Sequence, residues 1–181
     1  MDLFNNAIGI QMAIDNQNIS DIQLAILIQN ALNLGKMVKV GNKKLISTDS
    51  SDRIKNDDGR TPLMFTVECE FWFGFCCLLE NSKVDFSYID FYDDTLLTIA
   101  SRKEDSLYLD KILQIASPTD VNFQTPLRKM TPIMYASQYG RVKNVLLLLK
   151  QSNKDLKDRH GFSAFDFAKC EGYEKIVKIL R

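Results

Sequence analysis

Apolar residues along the C-terminal two-thirds of the chain fall in short clusters at helical spacing. Val145, Leu146, Leu148 and Leu149 mark a helix from about Val142 to Lys150. Phe75, Cys76, Leu78 and Leu79 mark an earlier one, Leu107 to Ile115 another, and Ile176, Val177, Ile179 and Leu180 the last. Each follows a shorter helix that opens on a hydroxyl residue: Thr61-Pro62, Thr95-Leu96, Thr131-Pro132 and Ser163-Ala164. The hydroxyl can accept a bond from an unpaired helical N–H, and proline is tolerated at the first helical position. Gly140 and Gly172 follow the shorter helix in the last two copies, where a left-handed residue suits the helix end. None of these helices is long enough to stand alone in water, so the pattern predicts helix pairs that bury their apolar faces on neighbouring pairs. Further upstream, Leu3 to Asp15 and Ser20 to Leu34 read as two helices joined at Asn16-Gln17-Asn18. Nearly every side of Leu24 to Ile28 is apolar, which predicts burial. Val38 to Ile46 reads as a hairpin around Gly41-Asn42, and Ser47 to Ser51 as a loop. Ser117 to Leu127, with Pro118 and Pro126, reads as an extended loop.

The four hydroxyl residues lie 34, 36 and 32 residues apart. The fullest copy is Thr131-Pro132-Ile133-Met134-Tyr135-Ala136-Ser137-Gln138-Tyr139-Gly140; Thr61-Pro62-Leu63-Met64, Thr95 to Ala100 and Ser163 to Ala168 repeat parts of it. A period near 33 with a T-P-L-x-x-A core resembles the ankyrin repeat. The resemblance covers residues 56–181, in copies at about 56–88, 89–123, 127–157 and 158–181. It implies an all-α solenoid with β-turn fingers at right angles to the helices. Residues 1–55 would then form a helical cap, read as a diverged first repeat, followed by a flexible or hairpin loop. This sequence departs from the family pattern at several places. Glu70 and Glu104 stand where glycine ends the inner helix, Asp93 replaces the turn glycine, and Leu96 replaces the proline. The family's histidine position holds Met64, Thr98, Met134 and Asp166, so the inter-repeat hydrogen bonds of that histidine are expected to be at least partly missing. The second copy is expected to deviate most in shape.

The family mostly binds other proteins, through finger tips and the inner helices of the concave face. Carried over position by position, the tips hold Asp57, Asp58 and Arg60 in the first copy and Phe91, Tyr92 and Asp94 in the second. Arg128 and Met130 fall there in the third copy, and Arg159 and His160 in the fourth. The inner helices add Glu68, Arg102, Lys103, Gln138 and Tyr139. Aromatic and arginine side chains often anchor interfaces, which puts Phe91, Tyr92, Arg102, Arg128 and Tyr139 first. The resemblance implies a non-catalytic protein-interaction module (adaptor, inhibitor or escort) without cofactor or metal, acting as a monomer or in a hetero-complex. Two other readings stand beside it: RNA binding or catalysis based on the N-terminal 55 residues, and a regulatory subunit of an obligate complex.

Composition narrows this further. The 23 basic and 23 acidic residues balance, so broad attraction to nucleic acid or anionic membrane is not expected. The longest strongly apolar stretch, Phe71 to Leu79, has nine residues, against about 20 needed to cross a bilayer. The N-terminus lacks the basic start of a secretory leader, so a cytoplasmic and also nuclear location is expected. Cys69, Cys76, Cys77 and Cys170 form no C-x-x-C pair and are expected to be reduced thiols. A histidine-based triad could use only His160, and the nearby Ser163 sits where its hydroxyl would cap a helix. Asp57-Asp58 and Asp93-Asp94 lack the remaining ligands of a calcium loop and read as turn residues. Lys36, Lys39, Lys43 and Lys44 form a basic cluster with no aromatic residues interleaved for base stacking, and read as a solvated loop.

Overall fold

The computed structural model describes residues 38–40, 43–45, 55, 58–81 and 84–181, in two compact units that divide between residues 84 and 85. The helices expected over 3–15 and 20–34 and the loop at 47–51 lie outside the described residues.

In the first unit, β1 (Val38–Val40) and β2 (Lys43–Leu45) pair antiparallel, with Val38 opposite Leu45 and Val40 opposite Lys43. This short ladder falls where the sequence predicts a hairpin, and among the described residues it is the β element beside an otherwise helical set. Helices α1 (Pro62–Glu68) and α2 (Trp72–Asn81) follow. Thr61 caps α1 by accepting the Met64 N–H at 3.3 Å, and Pro62 occupies the first turn. Glu70 turns the chain between the helices at φ 56°, and the Phe71 N–H reaches back to the Thr66 carbonyl at 2.8 Å. Leu63, Met64 and Val67 of α1 and Phe75, Leu78 and Leu79 of α2 are buried.

The second unit has two layers of helices. α3 (Leu96–Arg102), α6 (Pro132–Gln138) and α8 (Ala164–Cys170) pack in series as an inner layer. α4 (Leu107–Leu113), α7 (Val142–Leu149) and α9 (Glu174–Leu180) do the same as an outer layer, each against its own inner helix. The inner layer is close because Ala100, Ala136 and Ala168 recur at one position, all fully buried. Ile112, Leu148 and Leu180 recur in the outer layer and fill the space between helix pairs. Between α4 and α6 the expected extended loop is instead partly helical: α5 runs Pro118–Val121. Ser117 accepts the Asp120 N–H at 3.3 Å while the Asp120 carboxylate accepts the Ser117 N–H at 2.8 Å, a capping box with proline at the first position. Val121 anchors this turn by complete burial, and the Asn122 amide bridges to the Gln151 carbonyl and the Asn153 N–H.

Left-handed residues recur with the same period. Gly59, Asp93, Lys129 and Gly161 precede the inner helices by two residues, and Glu70, Gly140 and Gly172 follow them, all at positive φ. Glu104, the fourth residue in that second series, does not have positive φ; the cap of α3 at Lys103 is extended at φ −69°, ψ 151°. The carbonyls left open at this helix end are met from the next helix pair. Asn144 of α7 donates its amide to the Ser101 and Lys103 carbonyls, both at 2.9 Å, and Arg141 donates Nε–H to the Arg102 carbonyl at 2.8 Å. Asn144 is fully buried where its neighbours in the outer helices carry apolar residues. Asn144→Ala should therefore cost about 1–3 kcal/mol in urea unfolding, by leaving buried carbonyls unpaired. A loss under about 0.5 kcal/mol would mean that these bonds do not secure α3.

Candidate functional site

The turn before α3 is built by one carboxylate. Asp90 Oδ1 accepts the N–H groups of Tyr92 and Asp94, both at 2.9 Å, and the Asp90 N–H closes on the Asp94 carbonyl at 2.9 Å. The chain is thereby fixed with Phe91 and Tyr92 at its apex, 74% and 57% exposed. Asp158 repeats this device before α8, accepting the His160 and Phe162 N–H groups at 2.9 and 2.8 Å. Between them, Thr125 closes a turn one residue longer, with its N–H on the Met130 carbonyl at 3.1 Å and its hydroxyl accepting the Met130 N–H at 3.3 Å. Leu127 stands out from that turn at 69% exposure.

Successive turns are tied to one another. Asp93 Oδ1 and Oδ2 accept the N–H groups of Leu127 and Arg128 at 3.1 and 2.9 Å. Arg128 extends its guanidinium back to the Tyr92 carbonyl, to Asp94 at 3.4 Å and to Asp93 at 3.5 Å, and lies over the Tyr135 ring at 5.5 Å. Asp94 also pairs with Arg102 at 2.5 Å. The Arg159 N–H then bonds the Arg128 carbonyl at 3.1 Å, carrying the ladder to the last turn. Burial pushes the Asp93 carboxyl up, but the Thr125 hydroxyl, the Arg128 and Leu127 N–H groups and the Arg128 charge outweigh it, and the group ends below the usual carboxylate range. Burial, reinforced by the Asp94 charge, pushes the Tyr135 phenol far up, so it stays neutral.

The residues expected at an interface divide accordingly. Phe91, Tyr92, Arg159 and His160 are exposed on turns. Arg128 is half-exposed, with its guanidinium committed to the cluster. Asp94 is corrected: it is buried, at 2% exposure, because the Asp90 turn folds it inward between two arginines. Met130 is likewise buried, since the longer third turn draws it under Thr125. Arg102 serves Asp94, and Lys103 is half-buried at the end of α3. Tyr139 is exposed, but at the far end of α6 from these turns. Arg60 belongs to the first unit, half-buried and 3.9 Å from Glu68. Arg128, Arg159 and His160 come together with Gln138 and Asp158 around a groove of 180 Å³ that Met130 and Phe167 also line. Leu127 and Phe162 are the exposed turn residues that sequence reasoning missed. Their signal was an apolar side chain inside a Pro- or Gly-marked turn, where no core requires one.

A sequence model of ankyrin repeats matches residues 97–181, in three copies. Residues 97–181 belong to the ankyrin repeat family. No curated protein matches the chain. Ankyrin repeats are generally protein–protein interaction modules and are typically non-catalytic. In this ankyrin array the usual histidine position is turned to other uses. Thr98 and Asp166 close capping boxes with Thr95 and Ser163 of their own helices, and the Asp93 carboxylate makes a bond between repeats instead. Among the described residues no helix is long and apolar enough to cross a membrane.

Asp93→Asn tests this clamp with little backbone disturbance, because asparagine also tolerates positive φ. The variant should lose about 1–3 kcal/mol at pH 7, because its single amide oxygen can accept only one of the Leu127 and Arg128 N–H groups and the charge is gone. Asp93 has a lowered native pKa, so its contribution is complete above the ordinary value of 3.8 and lost as pH falls through the lower native value. In urea unfolding the gap between wild type and variant should therefore close on acidification below 3.8. A gap unchanged across that range would rule out the charge as its source.

Proposed function

We propose that this chain is a non-catalytic interaction protein that binds a protein partner through the turns preceding its inner helices, used as fingers, and the adjoining concave inner-helix face. The observation that carries this reading is that Phe91, Tyr92 and Leu127 stand in water on turns that are locked by Asp90, Asp93 and Thr125. Three large apolar groups on rigid, neighbouring turns expose a surface that only a partner can cover, and their ordering cost is already met by the fold. Arg159 and His160 extend this face, with Tyr139 at its far end; Asp94, Arg102 and Arg128 are its framework. Helix pair α1–α2 repeats the hydroxyl cap, the two left-handed turn residues and the buried positions of the other pairs, and we read it as a fourth, N-terminal repeat, with Arg60 as its own turn residue. Cys170 is an exposed thiol, which fits a reducing compartment such as cytoplasm or nucleus. The role as adaptor, inhibitor or escort follows from what the partner does.

Affinity purification from cells expressing the chain tests this, with wild type beside a Phe91→Ala/Leu127→Ala variant and a Leu146→Ala control on the outer face. Wild type and control should recover the same partner, and the turn variant should lose most of it. Equal recovery by all three forms would move binding away from these turns.

A further inference from the structure

The balanced charge of the whole chain conceals a division inside the second unit. Residues 127–181 carry twelve lysines and arginines against five acids, Asp155, Asp158, Asp166, Glu171 and Glu174, a net of +7. Residues 85–126 carry three bases, Arg102, Lys103 and Lys111, against eight acids, a net of −5. The two divisions do not treat their charges alike. In the first part, Asp93 and Asp94 neutralise both Arg102 and Arg128 in the cluster described above. Around the groove in the last two repeats the carboxylates are engaged by groups of their own turn or helix, and Asp158 is itself one wall of the groove. Asp158 spends Oδ1 on the His160 and Phe162 N–H groups, and Asp166 accepts the Ser163 N–H and hydroxyl at 2.9 and 2.6 Å. Among the described residues Arg159 meets no carboxylate: its Nε–H donates to His160 Nε2 at 2.9 Å, and the side chain is exposed.

From this geometry we infer that the groove between Arg128 and Arg159 seats an acidic peptide segment of the partner, with a carboxylate on Arg159 and an apolar side chain over Met130 and Phe167. The inference rests on the proposed use of the concave face for protein binding, and adds the chemistry of what binds there. A guanidinium edge suits a carboxylate through paired N–H bonds, and the Gln138 amide, which also lines the groove, can serve a peptide group. The groove is short and Met130 and Phe167 line part of it, which fits alternating acidic and apolar side chains. A nucleic-acid backbone, with a charge about every 1.7 Å along a duplex, needs a continuous basic track. Lys143, Lys150, Lys175 and Lys178 lie on or beside α7 and α9 in the outer layer, and Lys129, Lys157 and Lys169 on or beside the turns and on α8, which divides the cations between two faces rather than along one track.

The test pans a phage-displayed random dodecapeptide library on the full chain and measures the selected peptides by fluorescence anisotropy. Three variants are compared: Arg159→Glu, Phe91→Ala, and Lys178→Glu, which makes the same charge change on the outer layer. All three sites are exposed, so folding is preserved. The expected result is a set of peptides rich in Asp and Glu beside apolar residues, weakened about ten-fold or more by Arg159→Glu and little by Lys178→Glu. Peptides without acidic enrichment that still lose binding in Phe91→Ala would overturn the acidic segment and leave the finger-binding reading intact. Peptides indifferent to both Arg159→Glu and Phe91→Ala would overturn both. Equal weakening by Lys178→Glu, a single-stranded oligonucleotide that competes at equal affinity, or a library that yields no peptide would each overturn the acidic-peptide site.

Discussion

Two adjacent carboxylates, Asp93 and Asp94, hold together the parts on which the exposed face of this array depends. Asp93 faces forward and accepts the backbone N–H groups of Leu127 and Arg128. Asp94 faces inward and gathers Arg102 from the end of α3 and Arg128 from the next turn. A single dipeptide thus fixes the start of one helix, the end of the same helix and the neighbouring turn. Removing one partner from such a half-buried cluster leaves an opposite charge without compensation, which costs far more than an exposed ion pair contributes. The cluster explains how Phe91, Tyr92 and Leu127 can be presented rigidly without a core of their own.

Apolar packing supplies the rest of the cohesion, but it is not specific about the order or angle of repeats. Ala100, Ala136 and Ala168 let the inner helices approach, and Ile112, Leu148 and Leu180 fill the outer seam. Any helix pair with those positions could join such a stack. Polar bonds between neighbours give each junction its own identity: Asp93 to the third turn, Asn144 to the end of α3, and Asn122 to Gln151 and Asn153. Where the second repeat lost the glycine after its inner helix, the third repeat supplies Asn144 and Arg141 to the open carbonyls. The irregular repeat is secured by its regular neighbour.

The architecture was legible because helix caps and apolar periodicity are local signals. Thr131, Pro132 and Gly140 predict the bounds of α6 as they stand in the structure. The short helix α5 was equally local, since Ser117-Pro118-Thr119-Asp120 carries a cap, a first-turn proline and a reciprocal acid, but the two prolines of the segment suggested extension. The site was less legible because it is made by contacts between distant turns. Counting positions from a family pattern put Asp94 and Met130 at tips, whereas the Asp90 hydrogen bonds and the extra residue in the third turn bury both. Asn144 was hidden for a similar reason, as its partners are carbonyls some forty residues away. Leu127 could be seen only once its turn was known to point outward.

The measurement closest to the central claim is a double-mutant cycle on Asp94→Ala and Arg128→Ala, read by urea unfolding of the full chain. The account predicts a coupling of about 1 kcal/mol or more, because the two side chains secure the junction between turns jointly. Losses that add to within about 0.3–0.5 kcal/mol would show that the two act independently, and would contradict the view that this cluster organises the exposed face.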